Sequence, residues 1–282
     1  AIGAIYNDGN GGSAGHVRVY EYASTGWTQL GNDIDGEAAS DQSGWSVSLS
    51  SDGKTVAIGA TGNDDKGNGA GHVRVYEYAS TGWTQVGNDI DGEAQYNYSG
   101  FSVSLSSDGQ IVAIGANANS GNGQYAGHVR VYQRDADGWT QLGNDIDGEA
   151  AGDQSGYSVS LSSDGKILAI GALLNDGNGN NAGHVRVYQR DASTGWTQLG
   201  NDIDGEAAGD LSGWSVSLSS DGQIVAIGAI YNDGNGADAG HVRVYQRDAG
   251  GWTQLGIDID GEAASDQSGY SVSLSSDGKI LA

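Results

Sequence analysis

The sequence predicts an all-β chain: a five-bladed β-propeller of four-stranded antiparallel blades, spanning residues 1–282 as a single domain. Three observations carry this reading. The string Gly-His-Val-Arg-Val-Tyr recurs with its histidine at His16, His72, His128, His184 and His241. Self-similarity at a period of about 56 residues marks stacked supersecondary units. Within each unit, short runs alternate apolar and small polar residues between turn signals, and no window carries a helical period.

The second unit shows the elements in order. Strand one is read at Trp45–Ser50, where apolar residues alternate with serine. Asp52-Gly53 then closes a tight hairpin, because both residues tolerate the positive φ of a two-residue turn. Strand two follows at Thr55–Ala60 and, after a loop of Gly, Asn and Asp, strand three at His72–Tyr76. A turn at Ser80-Thr81-Gly82 leads into strand four at Trp83, a tryptophan repeated at Trp27, Trp139, Trp196 and Trp252. The array's one inserted residue falls within 191–195, just before Trp196. Four antiparallel strands per unit make a propeller blade, and the serines of strand one suit a crowded central axis. The chain starts inside strand two (Ala1-Ile2-Gly3-Ala4) and stops inside it (Lys279-Ile280-Leu281-Ala282). The array is therefore circularly permuted, and its ends are expected to share one composite blade, which would remove two open sheet edges.

The run Ser43-Gly44-Trp45-Ser46-Val47-Ser48-Leu49, with Ser51-Asp52-Gly53, Val56-Ala57-Ile58-Gly59-Ala60 and Gly71-His72-Val73-Arg74-Val75-Tyr76, resembles the FG-GAP repeat. The resemblance recurs in register over essentially the whole chain. It implies the β-propeller of integrin α subunits and related proteins, an extracellular or cell-surface setting, and a protein-interaction or adhesion role. The sequence departs from that pattern in three places. Serine stands where the family has phenylalanine before glycine, and no proline follows Gly-Ala. Of the acidic residues in the family's calcium hairpin, the segment 48–53 keeps only Asp52.

Charge limits the partners. Thirty-six acidic residues against 12 basic ones give a formal charge of −24. A nucleic-acid binder needs a concentrated basic surface, so that class is disfavoured, as is an anionic membrane. No run approaches the ~20 apolar residues of a membrane span, and no leader or lipidation motif opens the chain. The absence of cysteine excludes disulfides, thiolate metal sites and cysteine nucleophiles. Strand direction puts the inter-blade segments and the loops between strands two and three on one face. That face gathers 25 of the 36 acids, opposed there by Lys66. Calcium takes six to eight oxygen ligands, so the candidate metal ligands are Asp35, Glu37 and Asp41, Asp147, Glu149 and Asp153, Asp204, Glu206 and Asp210, and Asp260, Glu262 and Asp266. The alternative is solvated loops in which Asp and Asn form turns.

Other features read more simply. The five histidines and the arginines two residues on (Arg18 and its copies) fit blade packing. The tryptophans fit an outer packing anchor, against a ring of sugar-binding platforms. Gln95-Tyr96-Asn97-Tyr98 breaks the repeat, and with Tyr125 it offers a candidate ligand-contact patch of Tyr96, Tyr98 and Tyr125, against neutral drift. Nothing marks a catalytic carboxylate pair or a nucleophile elbow. The expectation is a monomeric, non-enzymatic binding or structural propeller with an unknown protein or carbohydrate ligand. The alternatives are an engineered or excised scaffold and a lectin-like propeller.

Overall fold

A computed structural model describes residues 1–24, 26–80, 82–191 and 195–282. The inserted residue expected within 191–195 and the turn at Thr81 fall wholly or partly outside that set. Among the described residues there is no helix, and the fold is a series of repeated antiparallel sheets. The second repeat has strands Ser46–Leu49, Thr55–Ala60, His72–Ala79 and Gly82–Gln85, close to the ranges read from sequence. The third, fourth and fifth repeats follow the same order, with third strands at His128–Asp135, His184–Asp191 and His241–Asp248. The first repeat begins with Ile2–Ala4, paired to His16–Arg18.

Each sheet that contains a histidine strand also has a short strand that the sequence reading lacks. Ile90–Asp91 folds back onto the third strand, with Asp91 opposite His72 and Ile90 opposite Val73. Ile146–Asp147, Ile203–Asp204 and Ile259–Asp260 repeat this pairing. The fold-back sets an acidic segment beside the histidine end of every third strand, and so it builds the sites described below.

The core lies between neighbouring sheets. Val129 and Val131 of the third repeat pack with Leu168, Ile170 and Tyr188 of the fourth. In the His-Val-Arg-Val-Tyr strand the two valines thus face the next repeat, while alternation turns His, Arg and Tyr toward the preceding one. Close approach of the inner strands demands glycine: a Cβ on Gly59 would overlap the carbonyl oxygen of Gly100 in the next repeat. The inner serines act as cross-links. Ser46 Oγ donates to the Gly100 carbonyl at 2.7 Å, and Ser48 Oγ accepts from the Leu105 amide at 3.0 Å. Trp45, Phe101, Tyr157, Trp214 and Tyr270 stack along the repeats at 4.9–5.4 Å between ring centroids.

At the chain ends, Ile2–Ala4 pairs only with His16–Arg18, and Leu274 bridges Leu281. Among the described residues no ladder joins these two segments. Ile2 is 61% exposed, whereas its counterpart Ile58 is fully buried.

Candidate functional site

The tight hairpins use their acid locally. Asp52 Oδ1 accepts from Ser50 Oγ at 2.7 Å and from the Lys54 amide at 3.0 Å, so its carboxylate is spent on the turn. The chemistry gathers on the opposite face, where the inter-blade segments meet the histidine ends of the third strands.

At these junctions a histidine and carboxylates from two repeats converge. The clusters are Glu37, Asp65, His72 and Asp89; Glu93, His128 and Asp145; Glu149, His184 and Asp202; and Glu206, His241 and Asp258. His16, Asp33 and Asp35 form a fifth at the first repeat. These groups could hold a metal ion. The histidines are almost wholly buried, and burial, reinforced by the neighbouring arginine, pushes His128 and His184 down to about 4. The His128 and His184 imidazoles are therefore neutral near pH 7, with a lone pair free to accept.

Arg74, Arg130, Arg186 and Arg243 tie each repeat to the one before. Arg74 Nη2 donates to the Asp35 carbonyl at 2.7 Å, and Arg186 Nη2 to the Asp147 carbonyl at 2.6 Å. Each guanidinium also lies over the tyrosine two residues on, 5.5 Å from the Tyr76 centroid in the case of Arg74. The tryptophans act likewise: Trp83 donates to the Leu30 carbonyl, Trp139 to Val86, Trp196 to Leu142 and Trp252 to Leu199. Both residue types are inter-repeat anchors, as their strict spacing suggested.

The carboxylates proposed from sequence separate into three roles. Asp35, Glu37 and Asp41 do not meet: Asp35 joins His16, Glu37 crosses to His72, and Asp41 is buried with Oδ2 accepting from the Ala38 amide. Asp153 and Asp210 repeat that turn and also accept from Asn175 and Asn232, and Asp266 repeats the turn alone. Glu149 and Glu206 join histidine clusters, whereas Asp147, Asp204, Asp260 and Glu262 belong to none. The cluster members Asp89, Asp145, Asp202 and Asp258 were missed. Their signal was a fixed distance of 17 or 18 residues after each histidine. Tyr96, Tyr98 and Tyr125 are part-exposed, but no ring contact joins them among the described residues. All three have positive φ, as do Ser40, Gln42 and Ser13 at the matching positions of the first repeat, so the repeat sets their backbone.

A groove of about 640 Å³ opens between the outer parts of the third and fourth repeats. Asn144, Asp145, Asp147, Tyr188, Arg190 and Trp196 line it. Burial first, then the charge of Asp145, raises the pKa of Asp147, against the opposing pull of Arg186. Asp204 is raised by the same two causes in a smaller groove of about 270 Å³, beside Asp202 and Trp252.

The repeated sheets and their inter-repeat seams define a propeller-type repeat protein. The chain carries FG-GAP repeats, and the model of that family matches residues 34–76, 146–188 and 203–245. No curated protein matches by sequence. Among solved structures, a protein described as a 6-phosphogluconolactonase from Bacteroides uniformis superposes with a TM-score of 0.64 at 15% identity, over 99% of this chain and 73% of that one. The periplasmic gluconolactonase of Pseudomonas aeruginosa superposes with a TM-score of 0.59 at 18% identity, over 94% of this chain and 74% of that one. These neighbours correct the expectation of a non-enzymatic binding module, together with its scaffold and lectin alternatives. Both bear the names of lactone hydrolases, so the fold found here is one that carries enzymes.

Proposed function

We propose that this chain hydrolyses a small, uncharged, hydroxylated lactone or ester in the groove between its third and fourth repeats. The observation that carries the reading is Asp147, a carboxylate of raised proton affinity lining this groove together with Arg190 and Trp196. Asp147 takes a proton from water, and the hydroxyl oxygen adds to the carbonyl carbon. The tetrahedral oxyanion, facing the Arg190 guanidinium, then collapses with cleavage of the ring carbon–oxygen bond. The departing oxygen recovers the proton from Asp147. Trp196 offers an apolar face to the sugar ring. The names of the two structural neighbours support a lactone, and the charge of −24 favours an uncharged lactone over a phosphorylated one.

The test is acid release in a pH-stat with an uncharged aldono-δ-lactone, above its spontaneous rate. Asp147→Asn, combined with Asp204→Asn to silence the smaller groove, should remove at least nine-tenths of that excess. The 6-phospho counterpart should turn over more slowly. Hydrolysis at the spontaneous rate by the unaltered chain would overturn the proposal. The same reading includes closure of the five repeats into one ring, a monomeric state and an extracellular setting.

A further inference from the structure

We propose that the second repeat holds one divalent first-row transition-metal ion, bound by Glu37, Asp65, His72 and Asp89. The site is separate from the groove of Asp147 and does not depend on the hydrolase reading.

The four ligand atoms lie within 4.8 Å of one another. His72 is 1% exposed, and its Nδ1 has no hydrogen-bond partner. That nitrogen is 3.7 Å from Asp89 Oδ2 and 3.9 Å from Glu37 Oε2. These separations are too long for hydrogen bonds. They approach the about 3.4 Å between two ligands of a tetrahedral ion with bonds of roughly 2.1 Å. A buried nitrogen left without a partner costs free energy, and a cation between the three groups would relieve it.

The surroundings orient the ligands. Asp89 Oδ1 accepts from Gln85 Nε2 at 2.6 Å, which leaves Oδ2 toward the imidazole. Glu37 Oε1 faces Arg74 Nη1 at 3.4 Å, which leaves Oε2. Holding one oxygen of each carboxylate is what outer partners of metal ligands do. Three carboxylates and one guanidinium leave a net charge of −2 for a dication to neutralise. An imidazole among carboxylates suits zinc, cobalt or manganese better than calcium, which prefers oxygen alone.

Asymmetry gives an independent argument. In the other repeats the positions of Asp65-Lys66 read Gly9-Asn10, Gly121-Asn122, Gly177-Asn178 and Gly234-Asn235. Those asparagines donate to the carbonyls of Gly36, Gly148, Gly205 and Gly261. The second repeat gives up that contact; Lys66 instead pairs with Asp91 at 3.4 Å, and Asp65 becomes the fourth member of the cluster. In a chain of near-copies, a loop that exchanges a structural contact for a ligand is the position to test.

The experiment titrates the intact chain with cobalt(II), reading the visible d–d absorption, and then displaces it with zinc. One equivalent should bind. Asp65→Gly with Lys66→Asn installs the Gly-Asn pair that four sister repeats carry, so it should fold, and it should weaken binding at least tenfold. His72→Asn, with folding checked by its melting curve, should abolish the absorption. The proposal is overturned by no binding to the unaltered chain at millimolar cobalt, or by unchanged affinity in the Gly-Asn variant. Four or five equivalents would place the ions on the histidine clusters in general and overturn the assignment to the second repeat. Calcium displacing cobalt at equal concentration would overturn the transition-metal character.

Discussion

His128 and His184 show how a single side chain can make the whole chain sensitive to acid. Burial, then Arg130 and Arg186 respectively, hold these imidazoles at about 4, below the ordinary value of 6.5. Between those values the unfolded chain binds more protons than the folded one. Stability therefore rises with pH across that window and is lost as pH falls through it. The urea midpoint should drop between pH 6.5 and 4, and the double variant His128→Asn, His184→Asn should flatten that slope. An identical pH profile in the variant would show that carboxylates alone drive acid unfolding. The histidines were plain in the sequence, but as packing residues. Their acidic partners 17 or 18 positions later could not be assigned, because the pairing needs the chain to run out along strand three, return along strand four and fold back. Asp147 was legible as an acidic candidate, whereas its raised pKa comes from burial and from Asp145, which only the folded junction supplies.

At the scale of the element, strands one to four were legible because each has an alternating apolar period and a turn at its end. The fifth, Ile-Asp, was not: two residues carry no period, and only pairing to the third strand defines them. The seam between repeats was half legible. Strict recurrence of Trp and Arg argued for structural roles, and the structure supplies the partners in the preceding repeat. Trp139 is the cleanest probe, since its indole donates to the Val86 carbonyl at 2.9 Å and its ring packs on the core of that seam. Trp139→Phe keeps an aromatic ring but leaves that carbonyl without its donor. The expected cost is about 1 kcal/mol in urea unfolding, the net worth of one neutral hydrogen bond. No change would mean that the carbonyl finds water as readily as the indole.

For the whole molecule, the question is what happens where the seam pattern reaches the two ends. Every internal seam joins a Trp and an Arg of one repeat to two carbonyls of the repeat before. The residues of the first repeat stand apart from that pattern. Trp27 is 70% exposed, and Arg18 turns back to its own Asp33 at 2.9 Å. At the other end, Leu255, Ile257 and Ile259 are 40%, 88% and 49% exposed, whereas Ile203, the counterpart of Ile259, is 5% exposed. The register of the internal seams matches Trp27 to the Leu255 carbonyl and Arg18 to the Asp260 carbonyl. In the proposed ring the two exposed ends are the halves of a fifth seam. Closing it would bury apolar surface on both sides and leave neither sheet edge open. In a closed ring Trp27→Phe should cost about as much as Trp139→Phe, roughly 1 kcal/mol, because it would break the same bond. Melting should be independent of protein concentration, and the mass in solution should be that of one chain. A cost that grows with dilution, alongside a larger mass, would place the fifth seam between copies of the chain. A Trp27→Phe variant as stable as the unaltered chain would leave the fifth seam unmade and the ring open.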